Sequence, residues 1–194
     1  NMKKKSLSVK KKNHSSILKH LNNKDILKVF KEFKKAIDVK SKYAAAISGG
    51  SDSLALAYFC KCISTIYNTK IQYYLIDHKL RKESTKEANF VKKYLKKFDI
   101  NCKILKWRGK KPHSNIQSIA RNNRYDLLKK ACKKDKINCL LIGHHADDLY
   151  ENFFIRLLRG SGLKGLSSFG EAINEEKKNI LILRPFVEFE KKEL

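Results

Sequence analysis

The feature that most constrains this chain is a strand, a glycine turn and a helix in immediate succession between residues 43 and 59. Residues 43 to 47, Tyr-Ala-Ala-Ala-Ile, form a short apolar run that is typical of a buried strand. Ser48, Gly49 and Gly50 end this run, and a helical pattern follows at once. Two glycines at such a turn allow positive φ angles and let the backbone approach a bound group closely. The pattern therefore predicts a strand–loop–helix unit of an α/β protein.

The same loop has the chemistry of a phosphate site. The unpaired amides and the positive dipole end of the new helix attract anions, and Ser48, Ser51 and Ser53 add hydroxyl donors. Asp52 brings a carboxylate to the same place, which is favourable mainly when the carboxylate binds a hard cation such as Mg²⁺. The Walker phosphate loop, G-x-x-x-x-G-K-[ST], does not occur in the chain. The alternative is a serine- and glycine-rich turn in which Asp52 is only a solvated residue at the helix start.

Composition limits the protein class. The 194 residues suit one α/β domain, and no apolar run approaches the roughly 20 residues needed to span a bilayer, so no membrane partner is expected. The five cysteines form no C-x-x-C pair, which disfavours a disulfide framework or a zinc site and favours free thiols in the cytoplasm. The net charge of +25 indicates a polyanionic partner such as RNA or DNA. Because lysine, asparagine and isoleucine are all abundant, an AT-rich coding sequence explains part of that charge.

The chain is predicted to consist of one catalytic domain with short extensions. Residues 1 to 22 are rich in Lys, Ser and Asn and are expected to form a flexible basic tail, for which an organellar targeting remnant is the alternative. The domain is expected over residues 23 to 189, entered by an amphipathic helix at residues 25 to 37. Residues 190 to 194 look like the start of a helix whose remainder is absent.

Strand and helix patterns alternate along the domain. Strands are predicted at 43–47, 71–76, 102–107, 139–142 and 180–183, and helices from the loop to 67, at 84–98 with a capping box of Ser84 and Glu87, at 116–134 and at 147–158. This alternation predicts a doubly wound, mostly parallel five-stranded sheet with helices on both faces, a Rossmann-like α/β fold. Ligands of such sheets bind at the carboxyl ends of strands near the switch in strand order. The loops at 48, 77 and 143 all leave strand carboxyl ends, so we expect them to meet at one site.

A second constellation of polar residues follows the fourth predicted strand. It reads Gly-His-His-Ala-Asp-Asp-Leu-Tyr-Glu over residues 143 to 151. If a helix begins near His144, then His144, Asp148 and Glu151 lie on one face of it. Such a group can bind a metal, perform acid–base chemistry or hold a cationic substrate. The alternative is a solvated acidic face behind a helix-start histidine.

Together these motifs resemble the signature of the tRNA(Ile)-lysidine synthetases, a family of PP-loop ATP pyrophosphatases. The matching stretches are the loop at 48–53, Asp77-His78-Lys79-Leu80-Arg81, Ala120-Arg121 with Arg124-Tyr125, His144 to Asp148 with Glu151, Arg156 to Leu166, and Arg184-Pro185. The resemblance covers roughly residues 40 to 194. It departs from the family at Lys79, where glycine is usual, and at residues 149 to 152, where Leu-Tyr-Glu-Asn replaces Gln-Ala-Glu-Thr. It implies the adenine nucleotide alpha hydrolase-like fold.

The resemblance also implies a reaction and its participants. Enzymes of this family use ATP to adenylate C2 of the wobble cytidine of tRNA(Ile) with a CAU anticodon, and then attach free L-lysine there. The resemblance implies that residues 48–53, Ile76 and His78 bind ATP and that Asp52 binds Mg²⁺. It implies that Asp148 and Glu151 bind lysine, and that Arg81, Arg159 and Gly160 bind tRNA. The implied catalytic residues are Asp52, Arg121, Arg124, His144, Asp148 and Glu151. A cytoplasmic location follows from the same resemblance, and a homodimer is compatible with it.

Three other functions remain as alternatives. A related tRNA thiolase uses a similar loop but needs cysteines placed to carry sulfur or an iron–sulfur cluster, and this chain has no C-x-x-C pair. A non-catalytic RNA-binding module would explain the charge, but it has no need of Asp52 in the loop. Amide-forming relatives that make GMP or NAD match the loop and not the second constellation.

Overall fold

The structure is a computed structural model that describes residues 17–77, 79, 82–107, 109, 116–144 and 180–189. A 3₁₀ turn at Lys19–Asn22 precedes nine further elements. In chain order these are α1 (Lys24–Lys35), β1 (Lys42–Ile47), α2 (Ser51–Tyr67), β2 (Lys70–Asp77), α3 (Ser84–Lys96), β3 (Cys102–Lys106), α4 (Ile116–Lys134), β4 (Cys139–Ile142) and β5 (Leu181–Leu183).

The five strands form one parallel sheet in the order β3-β2-β1-β4-β5. At its centre Ala45 lies opposite Tyr73 on one side and Leu141 on the other. The chain moves outward from β1 to β3 and then returns to the far side of β1. Because parallel crossovers are right-handed, this reversal places α2 and α3 on one face and α4 on the other. The predicted doubly wound sheet is confirmed, and its switch in strand order lies between β1 and β4.

Alternating side chains of the sheet fill two separate cores. Ala45 belongs to the larger core, which lies under α1, α2 and α3, whereas the preceding Ala44 belongs to the core under α4. In the larger core Phe33, Phe59 and Phe186 form a ring cluster with centroids 5.5 to 5.8 Å apart. Phe186 follows β5, so this cluster ties the end of the described chain to the first helices.

The predicted elements that fall within the described residues agree with the structure within about two residues at each end, a normal uncertainty for element boundaries. The predicted capping box is wrong, because the cap residue of α3 is Glu83 and not Ser84. The helix α3 starts at Ser84 with Glu83 as its cap, and no side chain of that cap accepts a hydrogen bond. The amide of Glu87 bonds to the carbonyl of Glu83 instead. No helix within the described ranges is long and apolar enough to cross a bilayer.

Part of the predicted basic tail is packed. Ile17 is buried, and Leu18 and Leu21 contact the larger core, so residues 17 to 22 belong to the domain rather than to a flexible tail. Asn23 then starts α1, because its side-chain oxygen accepts the amides of Asp25 and Ile26, as an N-cap residue should. Residues 1–16, the helix predicted at 147–158 and the predicted helix start at 190–194 lie outside the described residues.

Candidate functional site

A cleft of about 160 Å³ opens at the carboxyl ends of β2, β1 and β4. It therefore lies at the switch in strand order, where ligands of doubly wound sheets bind. The described residues that line it are Ala46, Ile47, Ser48, Gly50, Asp52, Ser53, Ile76, Arg124, Leu128, Ile142, Gly143 and His144. The loops at 48 and 143 meet here as the sequence predicted.

The turn after β1 requires glycine at position 49 for two reasons. Gly49 has a φ of +95°, a conformation that residues with a side chain rarely adopt. A Cβ atom at this position would also lie 2.9 Å from Cγ2 of Val91 in α3. The loop is thus pressed against α3, and its path depends on the absence of a side chain.

Ser53 holds the loop from inside. Its buried hydroxyl accepts the amides of Ser48 (3.2 Å) and Gly49 (3.1 Å) and donates to the carbonyl of Gly50 (2.8 Å). Since a hydroxyl has one hydrogen, the donor capacity of Ser53 is used within the loop. Ser53 therefore stabilises the loop conformation, while its predicted contact with ATP stays a prediction.

The amino end of α2 points into the cleft. Gly50 is its cap residue, with φ −74° and ψ 163°, and it has no side chain to accept the amides of the first turn. These amides and the helix dipole make an anion site. Asp52 stands in the same turn, half-buried, and its Oδ1 accepts a hydrogen bond from the Ser51 hydroxyl at 3.0 Å. Among the described residues no group of three or more His, Cys, Asp or Glu side chains forms a metal cluster.

The absence of a side chain at Gly143 allows the backbone after β4 to approach the first turn of α2. A Cβ atom there would lie 2.8 Å from the carbonyl oxygen of Asp52 and 3.3 Å from the amide nitrogen of Ser53. The backbone after β4 consequently packs directly on the first turn of α2. This contact brings His144, the next residue, into the cleft wall.

The two arginines of α4 have different positions. Arg124 lines the cleft together with Leu128, whereas Arg121 is exposed one turn earlier and is not among the described lining residues. Both guanidinium groups approach the ring of Tyr125, with centroid distances of 6.0 Å for Arg121 and 5.6 Å for Arg124, a range in which cation–π attraction operates. The sequence placed both arginines on one helix face and could not separate them.

The connection after β2 is tied by a buried carboxylate. Asp77 is 1% exposed, and its two oxygens accept the amide of Lys79 (3.1 Å) and the hydroxyl of Thr85 (2.7 Å). Lys79 has a φ of +49°, in the left-handed region that glycine adopts most easily. The position where the resembling family has glycine is therefore one whose backbone favours glycine, and here the bond to Asp77 supports a lysine.

The structure brings together only part of the predicted site. Of the predicted residues, Ser48, Gly50, Asp52, Ser53, Ile76, Arg124 and His144 line the cleft. His78, Arg81, Asp148, Glu151, Arg159 and Gly160 lie outside the described residues, so their roles stay predictions. Sequence reasoning missed Leu128 and Thr85. Leu128 follows Arg124 by four residues and so lies on the same helix face, which could have indicated that it lines the cleft. Nothing in the sequence near Thr85 indicates its bond across the loop to Asp77.

All five cysteines are free, and none of them lines the cleft. Four are buried, and burial raises the pKa of Cys62 and Cys102 to about 11 and that of Cys132 to about 12. Burial also raises the pKa of Cys60 and of the partly buried Cys139. These thiols are therefore protonated near neutral pH and are poor nucleophiles or metal ligands.

A family model described as the PP-loop domain matches residues 18–194, which is most of the chain. The chain belongs to the PP-loop domain family. Its glycine loop, cleft and sheet are thus those of a PP-loop domain. Similarity to a solved U34-tRNA thiolase from Methanococcus maripaludis, a structure with a [4Fe–4S] cluster, agrees with this fold. The TM-score is 0.74, the sequence identity 20%, and the match covers 87% of this chain and 61% of the thiolase.

Curated relatives of this PP-loop domain carry the name tRNA(Ile)-lysidine synthase. The protein from Orientia tsutsugamushi is 43% identical over 159 residues, and that from Rickettsia felis is 40% identical over 154 residues. The matches cover 82% and 79% of this chain and 35% of each relative. A protein from the Wolbachia of Brugia malayi is 38% identical over 155 residues, with 77% of this chain and 35% of the relative covered. The chain spans about a third of the length of these relatives.

We expect Gly143→Ala to lower the free energy of unfolding by about 1–3 kcal/mol, because the new methyl group meets a backbone carbonyl that cannot rotate away. Gly50→Ala is the matched control. Its φ suits alanine, and the nearest atom to the added Cβ, Oγ of Ser48, is 3.8 Å away. Urea unfolding of the nucleotide-free chain measures both. Equal stability of the two variants would contradict the close packing of β4 on α2.

Thr85→Val should lower the free energy of unfolding by about 1–3 kcal/mol, because it leaves a buried carboxylate oxygen of Asp77 without its side-chain hydrogen bond. Thr85→Ser keeps the hydroxyl and should retain most of the stability. The valine variant should also raise the nucleotide concentration needed for half-saturation, since Ile76 precedes Asp77 and lines the cleft. A stability loss without any change in nucleotide binding would show that Asp77 does not position this wall.

Proposed function

We propose that this PP-loop domain is the catalytic part of a tRNA(Ile)-lysidine synthetase, which uses ATP and free L-lysine to modify the wobble cytidine of tRNA(Ile) with a CAU anticodon. The observation that carries the proposal is the cleft itself. It combines the glycine loop at 48–53, Arg124 and His144, from three separate motifs of the same signature, at one strand switch. The identity of 43% to a curated synthase supports the same assignment.

In the first step, the C2 oxygen of the cytidine attacks the α-phosphorus of ATP, and the bond to the bridging oxygen of pyrophosphate breaks. The amino end of α2 is suited to the departing pyrophosphate, because its first-turn amides and dipole stabilise negative charge as it develops. Ser53 keeps the loop in the conformation that presents these amides. Ile76 offers an apolar wall at the end of β2 against which adenine can pack.

Asp52 suits a role in binding Mg²⁺ at this site. It is the one acidic side chain among the described lining residues, and Mg²⁺ usually binds through one or two carboxylates together with substrate phosphates and water. The donor set therefore fits a nucleotide-bound Mg²⁺ and not a cage made by the protein alone. When bound, the ion would neutralise charge on the pyrophosphate.

In the second step, the neutral ε-amine of lysine attacks C2, the C2–O bond breaks, AMP leaves and the nitrogen loses a proton. His144 and Arg124 line the cleft and are the described groups suited to the adenylate. Asp148 and Glu151 are proposed to bind the ammonium groups of lysine and to accept the proton from the attacking amine, because only the neutral amine is nucleophilic. The exposed Arg121 is proposed to contact phosphate or the activated base.

The tRNA contacts are assigned from the resemblance alone. The cytidine must leave its stack to reach a cleft, and Arg81, Arg159 and Gly160 are proposed to hold the surrounding RNA. The net charge of +25 favours a polyanionic partner. A cytoplasmic location and a homodimer belong to the same proposal.

A thiolase activity is the second candidate, since a solved structure with this fold is a U34-tRNA thiolase. The cysteines of this chain argue against it. All five are described, none lines the cleft, and burial raises their pKa values. An enzyme that transfers sulfur through its own thiols needs them ionised and beside the substrate.

Asp52→Ala should reduce ATP-dependent AMP release with tRNA and lysine by about 100-fold or more, since a charge-stabilising group at the pyrophosphate is removed. Binding of tRNA should change little. Asp52→Glu, which keeps the carboxylate, is the control and should retain part of the activity at raised Mg²⁺. Undiminished AMP release by the alanine variant would rule out the metal role.

Glu151→Gln should raise the lysine concentration needed for half-maximal incorporation of labelled lysine into RNA by about 10-fold or more, because it removes a charge-assisted bond to an ammonium group. The ATP requirement should stay near that of the original chain. A change confined to ATP would reassign Glu151 to the nucleotide. RNA binding without any ATP cleavage by the original chain would support the non-catalytic RNA-binding module instead.

A further inference from the structure

Helix α3 carries a row of aromatic side chains on its outer surface. Phe90, Tyr94 and Phe98 lie four residues apart along the helix and its C-terminal turn, and they are 70%, 43% and 37% exposed. Among the described residues only two other large hydrophobic side chains, Ile66 and Tyr67, are comparably exposed. The rings of Tyr94 and Phe98 contact each other edge to face at 5.3 Å. We call Phe90, Tyr94 and Phe98 the aromatic row.

A groove of about 300 Å³ runs beside the aromatic row, between α3, α2 and the start of the described chain. Tyr94 and Phe98 line this groove together with His20 and with Leu54 and Tyr58 of α2. The rings of His20 and Tyr58 meet edge to face at 6.2 Å. The aromatic row is about 12 Å long, from eight residues at the rise of an α-helix, and its exposed rings offer faces on which flat groups can lie.

Lysines surround the aromatic row. Lys86, Lys92, Lys93, Lys96 and Lys97 are all exposed, whereas Glu87 is the one acidic residue of α3. Lys93 and Lys97 follow Phe90 and Tyr94 by three residues each, so each lysine lies beside a ring on the helix surface. The surface therefore offers positive charge and aromatic faces at the same spacing.

The combination favours a polyanion that also has flat, apolar groups. Single-stranded nucleic acid has both, and proteins that bind it use aromatic stacking platforms within positively charged grooves. The aliphatic residues of the same helix, Ala88, Val91 and Leu95, pack in or against the core, so the exposed row is purely aromatic. Duplex nucleic acid lacks accessible base faces and would gain only from the lysines.

We propose that the aromatic row of α3 binds a single-stranded stretch of RNA, whose bases stack on Phe90 and Tyr94 and whose phosphates contact Lys93 and Lys97. The choice of RNA over DNA rests on the function proposed above. The same helix packs on the loops beside the cleft, because Val91 lies against Gly49 and Thr85 bonds to Asp77. RNA that lies along α3 is thereby directed toward the glycine loop.

Fluorescence anisotropy with a labelled 15-nucleotide oligouridine tests the stacking. Phe90→Ala/Tyr94→Ala should weaken binding about 10-fold or more and leave its salt dependence unchanged, since stacking on aromatic rings adds affinity without charge. The same variant should leave binding of a 15-base-pair RNA duplex unchanged. The single variant Phe90→Ala removes the most exposed ring, so it gives the same test with the least effect on folding. Thermal unfolding checks that both variants are folded.

Lys93→Gln/Lys97→Gln tests the charge. It should weaken binding of both the single strand and the duplex and lower the slope of log affinity against log salt by about 1–2, because each phosphate contact contributes roughly 0.7–0.9. Tyr67→Ala is the matched aromatic control, since Tyr67 is also exposed and has the Lys34 ammonium 5.3 Å from its ring. Lys24→Gln/Lys31→Gln, at exposed positions on α1, is the lysine control.

If Phe90→Ala/Tyr94→Ala binds oligouridine as tightly as the Tyr67→Ala control does, the proposal is overturned. The aromatic row would then be a surface for a protein partner. An equal loss on the single strand and the duplex overturns the stacking. Incorporation of labelled lysine into tRNA by the original chain is measured separately. RNA binding that depends on the aromatic row, without lysine incorporation, would contradict the proposed function and not this inference. Lysine incorporation without such RNA binding would contradict only the inference.

Discussion

At Gly143 the backbone that leaves β4 lies against the first turn of α2, so close that a Cβ atom would be 2.8 Å from the carbonyl oxygen of Asp52. This contact joins the end of β4 to the helix that follows β1, and these two strands are distant in sequence but neighbours in the sheet. It also brings His144 into the lining of the same cleft as the glycine loop. The positions of the other cleft residues depend on this contact, because β4, which is followed by His144, holds α2, whose first-turn amides face the ligand.

The loop itself is held in shape before any ligand arrives. Ser53 bonds to the backbone of three successive residues within the turn, and Val91 presses on Gly49 from outside. Groups that stabilise developing charge work best when they need not reorganise during the reaction. The buried bonds and close contacts around the loop therefore contribute to function by keeping the first-turn amides in a fixed direction.

Local patterns predicted the fold well, because strand and helix periodicities are properties of short segments. The run at 43–47, the glycines and the helix after them needed no distant residue to be recognised. The prediction was less accurate where contacts with residues distant in the sequence determine the local structure. The cap of α3 is Glu83 rather than the predicted Ser84, and residues 17–22 are packed through Ile17. The bond from Thr85 to Asp77 crosses a loop. Asp148 and Glu151 stay predictions, since they lie outside the described residues.

The sequence by itself determined the class of chemistry: a glycine loop with one carboxylate at a helix start, followed about a hundred residues later by a histidine–aspartate motif. Those features are local, because a turn that needs glycine and a helix end that attracts anions depend on adjacent residues. The tertiary structure decided which arginine lines the cleft. Arg121 and Arg124 share one helix face in the sequence, and only the packing of α4 on the sheet brings Arg124 to the cleft and leaves Arg121 exposed.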